Sequence, residues 1–256
     1  MAQRLAVVTG GAGDIGRAIA RRLSADHDLV LIVDRDLPAA ENAVAVLGAG
    51  FAALKADVTD AASCASLAAE VRKLGALETL VNNAGAARGA SLQGTTVEDW
   101  MADRALNLDA AFLVFQALAE QLKASKGSVV NIVSVNGIGV FGHPAYSAAK
   151  AGMIHLTRAI AVEYGQYGIR ANSVAPGTVR TQAWEARAVA NPDVFAEAAE
   201  HYALGRIVHP EDVAEAVGFL ASPLAAAITG VCLPVDCGLT AGIPALARTF
   251  SQSDDY

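Results

Sequence analysis

Short apolar runs alternate with longer Ala-rich segments of helical spacing along the whole chain. Each short run is bounded by Gly, Asp, Asn or Pro, which is typical of a buried strand. Strands are predicted at residues 5–8, 29–33, 51–55, 79–81, 128–133, 169–174 and 232–235. Helices are predicted at residues 15–23, 63–74, 100–122, 146–164 and 210–220. Because parallel strands need long crossovers, the pattern predicts a Rossmann-like α/β fold, a doubly wound seven-stranded parallel sheet flanked by helices.

One domain covering residues 1–256 is the expected organisation, because no linker, low-complexity tract or internal repeat divides the chain. Two segments depart from the alternation of strand and helix. A long insertion at about 181–206 is expected to be irregular. A polar tail at about 246–256 ends in SQSDDY, and nothing in its pattern is expected to hold it down.

Composition narrows the class of protein. The 256 residues are 54% hydrophobic and 18% charged, which excludes a disordered chain and allows a sizeable core. A net charge of −7 argues against a broad basic face for nucleic acid or anionic lipid, so the expected partner is a small molecule. Three cysteines without C-x-x-C spacing, and five histidines without metal-ligand spacing, argue against a disulfide framework and a metal site. No apolar run resembles a signal peptide or a membrane span, and a cytoplasmic protein is expected.

A glycine loop follows the first predicted strand and opens a helix. Its sequence, TGGAGDIG at residues 9–16, suits a turn in which backbone approaches a pyrophosphate at a helix amino terminus. A glycine-rich turn without a ligand is the alternative. Asp34 ends the second strand 18 residues after Gly16, where a carboxylate binds the adenosine ribose hydroxyls. Because a carboxylate repels a 2′-phosphate, Asp34 favours NAD over NADP, unless the neighbouring Arg35 offsets it.

A second constellation lies further along the chain. Tyr146 and Lys150, in YSAAK, are four residues apart and share one face of a predicted helix. Ser134, twelve residues before Tyr146, ends the fifth strand, and ligands bind at the carboxyl ends of strands in open α/β sheets. Asn107 is predicted within the long helix at 100–122. The structural alternative is that these residues cap a strand, bond locally and begin a dimer-facing helix.

Taken in order, these residues resemble the short-chain dehydrogenase/reductase family, from about residue 5 to residue 242. The family loop is T-G-x-x-x-[Gly/Ala]-x-G, which Thr9, Gly10 and Gly16 match. Asp14 departs from it by standing where a small residue is usual. The stretch also reads as G-x-G-x-x-G, in which Gly13 supplies the flexibility. We expect the Asp14 carboxylate to turn away from the pyrophosphate, toward Arg17 or a neighbouring amide.

The resemblance implies further cofactor contacts. Asp57 and Val58 would flank the adenine, NNAG at 82–85 would close over the adenosine, and PGTVRT at 176–181 would hold the nicotinamide. The complete set of expected cofactor residues is Gly10, Gly13, Asp14, Ile15, Gly16, Asp34, Arg35, Asp57, Val58, Asn83, Ala84, Gly85, Tyr146, Lys150, Pro176, Gly177, Val179 and Thr181.

The resemblance also implies a catalytic tetrad of Asn107, Ser134, Tyr146 and Lys150. Tyr146 would act as acid and base on the substrate hydroxyl, with its pKa lowered from about 10 by the Lys150 ammonium and the oxidised nicotinamide. Ser134 would hold the substrate oxygen, and Asn107 would position a water that carries the proton past Lys150.

Substrate and assembly are less specified by the sequence. Candidate substrate contacts are Arg88, Asn136, His143, Trp184 and Arg187. They suggest a small polar secondary alcohol such as a polyol or sugar. The alternatives are a 3-oxoacyl-acyl-carrier-protein reductase and a noncatalytic NAD(H)-binding sensor. The apolar faces of the helices at 100–122 and 146–164 suggest a two-fold contact between copies of the chain. The resemblance implies a homotetramer in which these helices form one interface and the last strand forms the second.

Overall fold

A computed structural model of the chain describes residues 2–189, 191–253 and 255, with the side chains of residues 183, 186 and 187 outside the described part. Seven parallel strands in these residues form one sheet, in the order β3-β2-β1-β4-β5-β6-β7. The strands are β1 Arg4–Thr9, β2 Leu29–Asp34, β3 Phe51–Lys55, β4 Ala76–Asn82, β5 Ser128–Ile132, β6 Arg170–Pro176 and β7 Cys232–Val235. The order reverses between β1 and β4, and the carboxyl ends of strands beside such a switch point are where ligands bind. The predicted fold is confirmed.

Helices cover both faces of the sheet. They are α1 Asp14–Leu23, α2 Leu37–Leu47, α3 Ala61–Leu74, α4 Val97–Arg104, α5 Ala110–Ser125, α6 Pro144–Tyr164, α7 Gln182–Ala188, α8 Val194–Ala199, α9 Pro210–Ala221 and α10 Pro244–Ser251. No helix in the described ranges is long and apolar enough to cross a membrane.

Two hydrophobic cores result from the alternation of side chains along each strand. In β1, Leu5 and Val7 face a core that includes Leu118 of α5 and Ile160 of α6. The alternating residues Ala6 and Val8 face a second core formed with α1, α2 and α9. Both faces of the central strands are therefore buried, which explains their nearly continuous apolar sequence.

Four segments differ from the sequence prediction. α2 was not predicted. Its buried positions recur at helical spacing, but the exposed face of LPAAENAVAVL also carries the apolar Ala45 and Val46, which hides that spacing in the sequence. The predicted helix at 100–122 is two helices joined by a π-helical turn, Ala105–Asp109. The insertion at 181–206, expected to be irregular, contains α7 and α8. The tail expected from about 246 is helical as far as Ser251, the last residue of α10.

Candidate active site

The turn after β1 requires glycine for two separate reasons. Gly10 has a φ of +60°, a left-handed conformation that disfavours other residues. A Cβ on Gly10 would also lie only 2.8 Å from the Cα of Ala84. Asn83 holds the two segments together, because its Nδ2 donates to the carbonyl oxygens of Thr9 and Gly10, each at 3.0 Å. The glycine loop and the end of β4 thus form one rigid floor.

The amino terminus of α1 has the properties of an anion site. Gly13 precedes the helix and has no side chain to cap its first amides, which leaves their partial positive charge available. A Cβ on Gly13 would meet only the Gly10 carbonyl oxygen, at 3.6 Å, and Gly13 lines the cleft above the loop. A Cβ on Gly16 would collide with that same carbonyl oxygen. Gly13 therefore leaves space for a ligand, while Gly16 lets helix and loop pack closely.

Asp14 is turned in the expected direction. Its Oδ1 accepts a hydrogen bond from the Arg17 guanidinium at 2.5 Å. Its Oδ2 accepts from the backbone N–H of Gln182, the first residue of α7, at 2.7 Å. Both carboxylate oxygens are therefore engaged by positive or polar groups. The same contacts tie the glycine loop to the insertion after β6.

A cleft of about 600 Å³ extends from the glycine loop across the ends of β1, β2 and β4. Asp34 stands half-buried in its wall, where its carboxylate accepts from the N–H groups of Ala12 and Asp36 at 3.4 and 3.2 Å. Arg35 is exposed beside it. Hydrogen bonds from the hydroxyl and N–H of Thr59 lower the pKa of the Asp57 carboxyl, so this wall carries negative charge. An anion site next to hydrogen-bond acceptors fits an adenine dinucleotide.

A second cleft of about 310 Å³ adjoins the first and shares Ile15, Asn83, Gly85, Ala86 and Thr181 with it. Ser134, Tyr146 and Lys150 line this second cleft. All expected cofactor residues line one cleft or the other. The fold therefore brings the glycine loop and three members of the expected tetrad to one continuous cavity.

The protein groups around Tyr146 together oppose ionisation of its phenol. Burial raises the pKa of its phenol, a hydrogen bond with Ser134 acts in the opposite direction, and the charge of Asp103 adds to the increase. The expectation that Lys150 lowers this pKa is therefore not met by the protein's own groups. A phenolate at neutral pH needs additional positive charge in the cleft.

Lys150 is fully buried and has no carboxylate partner among the described residues. Its ammonium donates to the carbonyl oxygen of Ile132 at 2.7 Å and lies 5.5 Å from the centroid of the Tyr146 ring. Burial lowers the pKa of Lys150 to about 7. The amine can therefore gain or lose a proton near neutral pH, which suits a group that relays protons.

Asn107 lies in the π-helical turn rather than in a regular helix. Its Nδ2 donates to the carbonyl oxygens of Ala86 and Asp103 at 2.8 and 2.9 Å, and its Oδ1 accepts from the Ala86 N–H at 3.2 Å. A Cβ on Gly85 would lie 2.9 Å from Asn107 Oδ1 and 3.3 Å from Lys150 Nζ, so both side chains flank this glycine. π-Helical turns inside α-helices often occur at functional sites.

Asp103 is a site residue that sequence reasoning missed. It is completely buried, and its carboxylate accepts from the Arg88 guanidinium at 2.6 Å and from the Arg88 N–H at 3.2 Å. Arg88 was predicted as a substrate contact, but it is committed to this ion pair and lines the first cleft instead of the second. The available signal was an acidic residue four positions before Asn107, on the same helical face.

The other predicted substrate residues divide into two groups. Asn136, His143 and Trp184 line the second cleft. The amide of Asn136 is engaged internally, donating to Gly142 O at 2.9 Å and to Ser147 Oγ at 3.2 Å, while its Oδ1 accepts from Ser134 at 3.3 Å. It therefore orients the Ser134 hydroxyl. The side chain of Arg187 lies outside the described residues. Within the described ranges, no group of three His, Cys, Asp or Glu side chains is arranged to hold a metal ion.

Comparisons with known proteins agree with this geometry. A family model described as Enoyl-(Acyl carrier protein) reductase matches residues 10–240. A solved oxidoreductase of the short chain dehydrogenase/reductase family from Burkholderia thailandensis is 44% identical, with a TM-score of 0.94 over 100% of both chains. Meso-2,3-butanediol dehydrogenase from Serratia marcescens is 36% identical, covering 93% of this chain and 95% of the relative. Galactitol 2-dehydrogenase (L-tagatose-forming) from Cereibacter sphaeroides is 35% identical, covering 92% and 94%.

Proposed function

Because the chain belongs to the short-chain dehydrogenase/reductase family of oxidoreductases, we propose that it transfers a hydride between NAD and a small secondary alcohol, such as a polyol or sugar. The single observation that carries this proposal is the continuous cavity that joins the glycine loop to Ser134, Tyr146 and Lys150. The choice of NAD over NADP rests on Asp34, which would repel a 2′-phosphate more than exposed Arg35 attracts it.

In the proposed mechanism, each member of the tetrad has its own task. The Oη of Tyr146 takes the proton of the substrate hydroxyl, and Ser134 Oγ hydrogen-bonds the substrate oxygen as its negative charge develops. The nicotinamide supplies the hydride acceptor when bound, together with the positive charge that favours the Tyr146 phenolate. The Lys150 amine, near its pKa at neutral pH, receives the proton from the phenol side of the cleft.

Asn107 has a positioning task in this scheme. Its side chain fixes the backbone of Ala86 and keeps Gly85 between itself and Lys150. Both Nδ2 hydrogens are used for this purpose, whereas Oδ1 has one acceptor site left beside Lys150. That oxygen would hold the water through which Lys150 exchanges its proton with solvent.

The polyol preference rests on two supports. The named relatives are similar over nearly their whole length, and two of them are dehydrogenases of a diol and of a sugar alcohol. The second cleft also contains more polar groups than the reaction uses, including His143 and Trp184.

The test is a screen of secondary alcohols and ketones that follows NADH absorbance. Tyr146→Phe removes the acid and base but keeps the ring, so turnover should be lost while NADH binding remains nearly intact. Unchanged turnover in Tyr146→Phe would overturn the mechanism.

A reductase of acyl carrier protein thioesters is the second candidate, because the matching family model carries a description of that kind. The same screen should include a 3-oxoacyl thioester with NADPH. Efficient reduction of that thioester, with no turnover of polyols, would replace the proposed substrate class.

We also propose that the protein is a homotetramer. Trp100, Met101 and Phe112 on α4 and α5 are 40%, 53% and 45% exposed, and β7 is an edge strand. Five apolar residues of α5 are buried within the chain, so only part of the apolar face of this helix is available to a partner: Ala110, Ala111, Val114, Phe115 and Leu118. Light scattering at micromolar concentration tests the proposal, and a mass near 26.2 kDa with full activity would contradict it.

A further inference from the structure

His143, the residue before α6, has an unusual backbone conformation and takes part in three hydrogen bonds through its backbone. Its φ is +50°, in the left-handed region that only a few residue types besides glycine enter readily. Its N–H donates to the carbonyl oxygen of Ala90 at 3.2 Å, and its own carbonyl oxygen accepts from the Ser147 N–H and hydroxyl at 2.8 and 2.9 Å. Strained backbone that the surrounding structure maintains is frequent at ligand-binding sites.

The ring contact of His143 determines which nitrogen carries the proton. Nδ1 lies 3.1 Å from the carbonyl oxygen of Gly89. Because a carbonyl oxygen only accepts, Nδ1 must be the donor, and in the neutral ring Nε2 is then an acceptor. No described residue is hydrogen-bonded to Nε2. The half-buried ring nevertheless lines the second cleft with Ser134 and Tyr146.

The place of this acceptor relative to Tyr146 defines what it can bind. His143 immediately precedes α6, and Tyr146 is the third residue of that helix. Both side chains line the second cleft. Asn136, the other polar side chain beside Ser134, is already engaged with Gly142 and Ser147. His143 therefore offers an uncommitted acceptor in the same cleft as Ser134 and the Tyr146 phenol.

We propose that His143 Nε2 accepts a hydrogen bond from a second substrate hydroxyl, on the carbon next to the one oxidised, and so makes the enzyme selective for vicinal diols. The inference rests on the proposed function, because it assumes that Ser134 and Tyr146 hold the reacting hydroxyl. A hydroxyl can donate to Nε2, whereas a methyl, hydrogen or ether group on that carbon cannot. Sites built to bond a hydroxyl discriminate strongly against analogues that lack it, since a buried polar group is then left unpaired.

Matched alcohol pairs test the selectivity. The pairs are 2,3-butanediol and 2-butanol, 1,2-propanediol and 2-propanol, and cyclohexane-1,2-diol and cyclohexanol, with 3-methoxy-2-butanol as an analogue that keeps the oxygen but lacks the donor. Wild type should show a kcat/KM at least about tenfold higher for the diol in at least one pair. 3-Methoxy-2-butanol should behave like the mono-alcohol.

Two substitutions that strain the backbone equally separate a role of His143 in substrate recognition from a purely structural role. His143→Leu and His143→Gln both place a residue without special left-handed tolerance at φ +50°, but only Gln presents an acceptor oxygen. In His143→Leu, the ratio of kcat/KM for the diol to kcat/KM for the mono-alcohol should be close to one, mainly because KM for the diol rises. His143→Gln should restore part of the preference for the diol. NADH binding should stay unchanged in both variants.

The outcomes distinguish the inference from the function on which it rests. Turnover of secondary alcohols without a preference for diols, or a preference that survives in His143→Leu, would overturn the role of His143 and leave the dehydrogenase activity standing. An equal loss of turnover for diols and mono-alcohols in both variants would assign His143 a structural role only. No turnover of any alcohol would overturn the proposed function and this inference with it.

Discussion

Lys150 and Arg170 are long cations at opposite edges of the same sheet, and both are held by backbone carbonyl groups. At the carboxyl edge, Lys150 donates to Ile132, the last residue of β5. At the amino edge, Arg170, the first residue of β6, donates to four carbonyl oxygens around the end of α9, those of Leu220, Ala221, Ser222 and Ile228. Neither cation forms a salt bridge within the described residues.

The difference between them lies in what burial does to the charge. Burial lowers the pKa of both groups. A guanidinium nevertheless remains protonated at any ordinary pH, so Arg170 acts as a permanent clamp on the carbonyls of a helix end. The Lys150 amine, with a pKa of about 7, can exist in both forms. One edge of the sheet therefore uses a cation to hold the fold, and the other uses a cation that can exchange a proton.

Lys150→Met should have the largest effect and should act on catalysis. The change keeps an unbranched chain but removes the amine, so kcat should fall by about a thousandfold or more, about 4 kcal/mol in the barrier. At pH 7 the free energy of unfolding should change by less than about 1 kcal/mol, because losing the bond to Ile132 is offset by no longer burying an amine. NADH progress curves and urea unfolding measure the two quantities. Retention of a tenth of the wild-type kcat would contradict the assignment.

Arg170→Met should show the reverse pattern. Leaving four carbonyl oxygens without their donor should lower the free energy of unfolding by about 2–4 kcal/mol. The kcat of the folded protein should remain within about twofold, since the site lies at the other edge. Arg170→Lys is the matched control, because it keeps the charge but not the planar fork, and its stability should be intermediate. The comparison would fail if the kcat of Arg170→Met fell by more than about twofold under conditions in which the variant is still fully folded.

The pH dependence of stability should differ at the two edges. Between the folded pKa of Lys150, about 7, and its ordinary value of 10.5, the unfolded chain binds a proton that the folded chain does not. Stability therefore rises with pH in that window, and the contribution of this group is constant below and above it. From pH 7 to pH 9, wild type should gain about 2 kcal/mol relative to Lys150→Met. The difference in unfolding free energy between wild type and Arg170→Met should stay constant over the same range. If wild type and Lys150→Met changed equally with pH, Lys150 would have an ordinary pKa.

Asp34 also lies at the carboxyl edge of the sheet, where it should determine cofactor choice. Its substitution should have the smallest of these effects. Wild type should bind NAD at least about tenfold more tightly than NADP, about 1.4 kcal/mol. Asp34→Ala should narrow that gap, because the carboxylate no longer opposes a 2′-phosphate. Fluorescence titration with both reduced cofactors measures it. Equal affinities in wild type would show that Arg35 overrides Asp34.

The sequence was sufficient for the sheet, because buried parallel strands are short apolar runs with sharp ends. β3 and β7 begin and end at the predicted residues. It was insufficient for α2, whose exposed face is partly apolar, and for the π-helical turn, whose pattern continues that of the flanking helices. α8 and α10 have no fully buried residue, so they lack the wide buried face on which pattern reading depends.

The candidate site was predictable to the extent that it follows strand ends and fixed spacings. The glycine loop, Asp34, Ser134, Tyr146 and Lys150 each occupy such a position. The ion pair of Arg88 with Asp103 joins residues from a loop and a helix, and no spacing rule connects them. The raised pKa of Tyr146 could not be predicted either, because it depends on burial and on Asp103, and neither is visible in the segment YSAAK.

The π-helical turn between α4 and α5 also determines where the chain can tolerate a change in length. Each residue of an α-helix turns the chain by about 100°, so removing one residue from Ala105–Asp109 would rotate one helix against the other by that angle. Either the buried face of α5 would leave the core, or Asp103 would leave Arg88. At the opposite edge, Gly48 and Gly50 form an exposed turn in which a Cβ would meet no atom within 4 Å. Inserted tags or epitopes, and new termini made by circular permutation, should therefore be placed in that turn. The segment 105–109 must keep its number of residues.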